Sequence, residues 1–363
     1  MRWLPRWGWA FWLSAMVLGS CTADTGDVPR PSPVLADLPY DTLSEYGFFV
    51  GHLGEQEPAP GVVLYEVTSP LWSDFADKGR YVFLPEGTFV TYRGDGEMVF
   101  PLGSIVIKSF YLMLNRSLGD ESPSRLIETR LLILEDEGWT GHTYVFNDEE
   151  TEATRRIAGA RLTFDVIGTD GAATEQLYQV PNNNECGSCH ERSDTMHLLG
   201  FVGPQLHREV QRDGEDHDQL SWLHQAGLFA DEPSGLDEID SFHAPFGDSP
   251  LELRARDYLH SNCGHCHREG GDGGRSGLSL LRDEMVPARY GVCKGPVAAG
   301  RGTGGLSYDI NPGDPDSSII VHRMQSTDPE VKMPELPQRI PHMAGIELIR
   351  EWIASMDPQM CGE

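Results

Sequence analysis

GSIVIKSFYLML, residues 103–114, is a run of β-branched, aromatic and aliphatic residues bounded by glycine at its start. Such residues favour β-strands, because their side chains pack well on a pleated surface. Similar short runs, separated by Gly, Asp, Asn and Pro, are GVVLYEV, RYVFLP, TFVTYR, RLIETRLLIL, HTYVFN, ARLTFDVIG and EQLYQVP. Without long helical patterns between them, they predict an antiparallel β-sandwich or barrel-like domain over residues 41–180.

The last part of the chain has two helical patterns. SPLE at 249–252 combines a serine cap, a proline at the first helical position and a glutamate that can close a capping box. The helix that follows runs directly into Cys263. A second amphipathic pattern carries Ile346, Ile349, Trp352, Ile353 and Met356. Glycine- and proline-rich loops connect the two.

Two copies of a Cys-x-x-Cys-His motif occur, CGSCH at 186–190 and CGHCH at 263–267. Two thiols at this spacing can each form a thioether with a vinyl group of haem, and the adjacent histidine becomes an axial ligand of the iron. Zinc is the alternative, since two Cys-x-x-Cys pairs can supply four thiolates, but zinc does not require the histidines. The sequence predicts two covalently attached c-type haems, held by Cys186, Cys189 and His190 and by Cys263, Cys266 and His267.

The surroundings of the second motif resemble the small monohaem cytochrome c fold. The matching features are a helix entering Cys263, the motif, a later loop with Met333-Pro334, and a terminal helix. The resemblance implies an all-α domain over residues 246–363 in which Met333 is the second iron ligand, with Met324 as the alternative. A thioether ligand raises the reduction potential, which suits electron transfer.

The first motif has different surroundings, because a strand and QVPNNN precede it and no Met-Pro loop follows. Residues 181–245 are expected to form a loop-rich first haem-binding segment, with His190 as one axial ligand. The sequence does not decide which residue binds the iron on the face opposite His190, and one alternative is that no protein residue does. The candidates, with the first two ranked ahead, are Met196, His207, His197, His217, His224 and His243.

The N-terminus resembles a bacterial lipoprotein signal. Arg2 and Arg6 precede an apolar run that is too short to span a bilayer, and LGSC at 18–21 follows it. Residues 1–20 are therefore expected to be a signal peptide, Cys21 to receive lipid, and residues 21–40 to form a linker. We therefore expect the protein at the periplasmic face of a bacterial membrane, and the outer membrane is the preferred of the two. An ordinary signal peptide would leave it soluble in the periplasm.

The chain is acidic, with 28 basic and 56 acidic residues and a formal net charge of −28. This charge argues against nucleic acid as a partner and favours basic periplasmic redox proteins; the lipid anchor would supply the membrane contact.

Seven cysteines are present. Once Cys21 and the two motifs are assigned, Cys293 and Cys361 remain, and in an oxidising compartment they would pair.

Several blocks, in this order, resemble a family of exported dihaem c-type cytochromes from Gram-negative and related bacteria: PLWSDFADKGRYVFLPEG, FPLGSIVIKSFY, RLIETRLLI, QVPNNNECGSCH, RARDYLHSNCGHCHR, CKGPVAAGRGTGGLSYDINPG and RMQSTDPEVKMPELP. The resemblance implies a multidomain α+β chain with a β-rich N-terminal domain and two haems, and it supplies no substrate.

The expected function is a membrane-anchored electron carrier with no substrate of its own. One alternative is a dihaem enzyme, peroxidase-like or another oxidoreductase, with a reactive first haem. The other is a β domain that binds a carbohydrate or a partner protein, coupled to a haem relay. The aromatic residues behind this last alternative are Tyr65, Trp72, Phe75 and Tyr81.

Overall fold

The structure is a computed structural model that describes residues 28–94, 96–212, 214–297, 299–335 and 338–361. The predicted signal peptide and the lipid-bearing Cys21 lie outside these residues. None of the helices in the described part of the chain has the length and apolarity needed to cross a membrane.

A six-stranded antiparallel sheet forms the centre of the molecule. Its strands, in both chain and spatial order, are β3 (Val62–Leu64), β4 (Ala76–Phe83), β5 (Ile105–Met113), β6 (Ser124–Glu135), β7 (Gly138–Phe146) and β8 (Ala153–Arg155). The remaining strands form two-stranded ribbons: β1 (Phe49–Val50) with β2 (Glu57–Pro58), β9 (Ala160–Ile167) with β10 (Ala173–Val180), β11 (Glu191–Arg192) with β12 (Thr195–Met196), and β13 (Glu209–Arg212) with β14 (Glu215–Asp218).

Both faces of this sheet are covered. Side chains alternate along a strand, so Ile107 points into a core with Tyr46 and Phe48, while its neighbour Val106 points into a core with Leu206 and Leu220. The first face is therefore covered by the N-terminal segment and the second by residues that follow the first motif. Part of the expected linker also lies on the body, where Leu35, Leu38 and Tyr40 pack against the first core.

Six α-helices lie in the described residues: α1 (Asn183–His190), α2 (Gly203–Leu206), α3 (Gln219–Gln225), α4 (Leu251–Leu259), α5 (Ile319–Gln325) and α6 (Met343–Ala354). A capping box between Asn182 and Glu185 begins α1. A wider π turn at His260–Gly264 continues α4 into the second motif. The core between α4 and α6 contains Tyr258, Ile346, Ile349 and Trp352.

The fold class predicted from the sequence is wrong. The described residues are mostly antiparallel β-sheet, and those from 246 onward form three short α-helices joined by long loops rather than an all-α cytochrome c-like domain. The helical periodicity at each end of this region is real, but the glycine- and proline-rich stretch between the ends does not support helix. The six-stranded sheet of the described residues is open rather than a closed barrel, because β3 and β8 each have one neighbour. A two-stranded ribbon, β9 with β10, packs against one of its faces.

Buried hydrogen bonds fasten the C-terminal region to the sheet. The Asp74 carboxylate accepts from the backbone N–H groups of Arg339 at 2.8 Å and Ile340 at 3.0 Å. The Trp72 backbone N–H donates to the Asn262 side chain at 2.8 Å, and its indole N–H donates to the Ile340 carbonyl at 3.1 Å. These bonds hold the segment just before β4 against the second motif.

The structure joins Cys293 and Cys361 through a disulfide, with a sequence separation of 68 residues. We expect the double variant Cys293→Ser/Cys361→Ser to lose about 2–4 kcal/mol of unfolding free energy, because the unfolded chain regains the entropy of the open loop. Denaturant unfolding of the variant and of the parent protein, with and without reductant, measures this. A parent protein whose unfolding midpoint does not respond to reductant would contradict the expectation.

Candidate functional site

The first Cys-x-x-Cys-His motif occupies the end of α1, with His190 in its last turn. The Nδ1 atom of His190 lies 2.8 Å from the carbonyl oxygen of His197. Because a carbonyl only accepts, Nδ1 carries the hydrogen and Nε2 keeps its lone pair. Burial lowers the pKa of His190 to about 4, so the imidazole is neutral near pH 7. Its Nε2 is therefore able to bind a metal.

The second motif follows α4 through the π turn. Its histidine also carries the hydrogen on Nδ1, but with a different hydrogen-bond partner. His267 Nδ1 lies 3.2 Å from the Ser276 hydroxyl, which donates its only hydrogen to the Gly273 carbonyl at 2.7 Å. The hydroxyl oxygen must then accept from Nδ1–H, which leaves the lone pair on Nε2. Burial again lowers the pKa of His267 to about 4. Both histidines are thus neutral and oriented through Nδ1.

A cavity of about 100 Å³ adjoins Cys263 and His267. Two of its wall residues, Met324 and Met333, are the methionines predicted as alternative iron ligands. The apolar part of the wall consists of Leu278, Leu280, Tyr290, Ile310, Ile319, Ile320 and Ile346. The structure therefore brings Cys263, His267 and both methionines to one largely apolar cavity, whereas Cys266 is not among the lining residues.

A second cavity, of about 110 Å³, adjoins the first motif. Its wall includes Cys186, Cys189 and His190 and, from the sheet and the following loop, Val106, Phe110, Leu132, Leu198 and Phe201. Asn262, Pro334 and Gln338 line both cavities. Each motif thus has a cavity of its own, and the two cavities share a wall.

The two motifs touch each other. The Cys266 thiol has two acceptors within reach of its one hydrogen, the Ser188 carbonyl at 3.2 Å and the Cys189 sulfur. The hydrogen bond from Cys266 lowers the pKa of Cys189, and the Cys189 thiolate raises the pKa of Cys266. The ligand atoms of Cys189, His265 and Cys266 all lie within 4.8 Å of one another. Structural zinc takes four protein ligands, whereas this group supplies three, because Cys186 and Cys263 do not belong to it.

The sixth-ligand candidates named for the first motif do not line its cavity. Met196 lies in β12 and His217 in β14. The imidazole of His207 contacts Ser241 at 2.8 Å, and that of His243 contacts Asp257 at 2.9 Å. His224 Nδ1 lies 3.1 Å from the carbonyl of Phe229, and His197 Nδ1 lies 3.1 Å from Glu97. Proximity in sequence was a poor guide, since the cavity wall is built from distant strands.

Sequence reasoning missed the charged residues Lys108 and Arg130, which line the first cavity from β5 and β6. The available signal was a lysine inside the otherwise apolar run IVIKSF.

Of the four aromatic residues singled out for ligand binding, Tyr65 and Tyr81 are buried in the cores, while Trp72 and Phe75 line a third, more open cavity. Trp72 stacks on His342 there, with 4.0 Å between ring centroids.

Comparison of the chain with protein-family models, with curated proteins and with solved structures finds no match. The resemblance to dihaem cytochromes therefore stays a prediction, and any assignment of function rests on the residues and geometry of the two motifs.

Proposed function

We propose that this chain is an exported, membrane-anchored dihaem c-type cytochrome that passes single electrons between periplasmic redox proteins. The observation that carries the proposal is the arrangement of the two Cys-x-x-Cys-His motifs. They contact each other through Cys189 and Cys266, and each adjoins a cavity of its own.

The residues present fit haem. The walls of both cavities are largely apolar, as the walls of cofactor pockets generally are. Cys186, Cys189 and Cys263 line these walls, whereas Cys266 lines neither cavity and lies against Cys189 and the Ser188 carbonyl. His190 and His267 are neutral, with Nδ1 occupied and Nε2 free. Haem, when bound, supplies a one-electron iron couple.

The protein's own residues support exchange between two such sites. The cavities share Asn262, Pro334 and Gln338, so nothing larger than single side chains separates them. Met333 lines only the second cavity. A thioether ligand raises the potential of the site that it serves, so electrons would move from the first site toward the second.

Charge supports a basic partner. With 28 basic against 56 acidic residues, the surface field attracts cationic proteins and repels nucleic acid. Association with such a partner would weaken as ionic strength rises, because salt screens charges beyond about 10 Å at 0.1 M. Lipid on Cys21 would hold the carrier at the periplasmic face of the membrane.

The proposal is tested on the full chain expressed with the c-type haem attachment machinery. Mass spectrometry under denaturing conditions should show two covalent haems, and the pyridine haemochrome assay should give two haems per polypeptide. A reductive titration should then resolve two one-electron couples. A purified protein that carries one haem or none, or that carries zinc at the motifs, would contradict the proposal.

Replacing Met333 with alanine should lower the potential of the second haem by on the order of 0.1 V, because the iron loses its thioether ligand. The measurement is a spectroelectrochemical titration of both haems. Met324→Leu is the matched control, since Met324 lines the same cavity from α5 and leucine conserves its volume. If Met324→Leu shifts the potential and Met333→Ala does not, the ligand assignment to Met333 is wrong.

A further inference from the structure

We propose that the side-chain amine of Lys108 is the second axial ligand of the iron in the first site, on the face opposite His190. The inference rests on the proposed haem attachment at Cys186 and Cys189, and it supplies the ligand that no methionine or histidine near the motif provides.

The register of the sheet aims Lys108 at the first cavity. Lys108 is paired across the strands with Arg80 on one side and Arg130 on the other. It shares its face of β5 with Val106 and Phe110, and all three line the first cavity. Ile107 lies between them on the other face, in the opposite core. The lysine therefore reaches the cavity from the wall that the sheet forms.

Three other nitrogen-bearing side chains in this cavity wall are less suited to bind the iron than Lys108. Arg130 donates twice to the Glu128 carboxylate, at 2.6 and 3.0 Å, and a guanidinium stays protonated. His142 is paired with Leu131, whose side chain is in the opposite core, so its imidazole lies on the far face of the sheet. His265 stands against Cys189 in the contact between the motifs.

Tyr65, a further possible ligand in the same wall, is buried beside Phe201, and burial raises the pKa of its phenol to about 12. The phenol therefore stays protonated near neutral pH, which makes it a poor ligand.

Lys108 itself has no hydrogen bond or ion pair within the part of the chain that the structure describes; its Nζ lies 5.3 Å from the centroid of the Phe110 ring. Two like charges face it across the sheet, and like charges directly opposite each other are destabilising. Burial, followed by the charge of Arg80, lowers the pKa of Lys108 well below its usual value. An uncharged amine in a cavity beside a metal site is a nitrogen donor, and binding iron would satisfy it.

Two nitrogen ligands in the first site and a thioether in the second would place the two couples at different potentials, the first lower. The proposed ligand thus gives the relay its direction. It also closes the iron's open face, which separates an electron carrier from an enzyme that binds peroxide or oxygen there.

The test uses the full holoprotein and compares Lys108→Ala with the parent protein. In the parent, electron paramagnetic resonance and near-infrared magnetic circular dichroism should show two low-spin haems, one with histidine–amine ligation. In Lys108→Ala the first haem should become high-spin, and its reduced form should bind one equivalent of carbon monoxide. Added ethylamine, which fits the space left by the side chain, should restore the low-spin spectrum.

The matched control is Lys78→Ala. Lys78 is a buried lysine on the same face of the sheet, paired with Phe110, but it lines the third cavity and donates to the Leu71 carbonyl at 2.7 Å. Its loss should leave both haem spectra unchanged. Lys108→His serves if the alanine variant does not fold, because an imidazole should keep the first haem low-spin with altered g-values.

The outcomes separate this inference from the function on which it rests. Fewer than two haems in the parent protein contradicts the dihaem assignment. Two haems whose spectra are the same in the parent, in Lys108→Ala and in Lys108→His contradict only the role of Lys108. A parent protein whose first haem is already high-spin and binds carbon monoxide also overturns the inference, and favours the peroxidase-like alternative.

Discussion

The double variant Cys263→Ala/Cys266→Ala should retain one of the two haems, and Cys186→Ala/Cys189→Ala should retain the other. Each motif opens on its own cavity, so loss of one attachment site leaves the second complete. The mass of the denatured protein should fall by one haem, and the haemochrome absorbance should fall to about half. The Cys263/Cys266 variant should lose the higher-potential couple, because Met333 lines that cavity.

The control for these variants is Cys293→Ser/Cys361→Ser, which removes two cysteines joined in a disulfide outside both motifs. It should keep both haems, although its stability falls. Loss of both cofactors from either motif variant would mean that Cys189, His265 and Cys266 act as one shared metal site. Elemental analysis should then find zinc in the parent protein and none in either variant, because each variant lacks one cysteine of that group.

Gly345→Ala should destabilise the protein by about 1–3 kcal/mol, although glycine to alanine inside a helix normally gains about 1 kcal/mol. Gly345 lies where α6 crosses α4, and an added Cβ would overlap the hydroxyl and ring of Tyr258. That ring cannot yield, since it is buried and its hydroxyl lies 3.0 Å from His342 Nδ1. The helices would have to separate, and denaturant unfolding followed by circular dichroism measures the loss.

Ala344→Gly is the control, because Ala344 is exposed in the same turn of α6. It should cost only the intrinsic propensity difference of about 1 kcal/mol. The double variant Gly345→Ala/Tyr258→Ala should lose less stability than the two single variants together, since the overlap disappears with the ring. A Gly345→Ala protein as stable as its parent would show that the helix crossing is not this close.

Much of the local structure could be predicted from the sequence. The runs at 103–114 and 125–134 lie in β5 and β6, and the helix predicted at SPLE is α4. The strands depend on side-chain shape over a few adjacent residues. The serine cap and capping box predicted for α4 are wrong, because its N-cap is Pro250 and no side chain caps it. The predicted architecture failed where it required knowledge of how the segments assemble. An open six-stranded sheet with separate two-stranded ribbons stands in place of a closed barrel, and long loops between short helices stand in place of an all-α domain.

The same division holds at the site. The sequence by itself determined the two attachment motifs, because all the chemistry of Cys-x-x-Cys-His lies within five adjacent residues. Only the tertiary structure decided that Cys189 meets Cys266, 77 residues away, and that Lys108 faces the cavity of His190, 82 residues away. Strand register sets the second of these contacts, and a shift of one residue would turn Lys108 to the opposite face. This register cannot be predicted from adjacent residues, because it depends on how the side chains of both sheet faces pack.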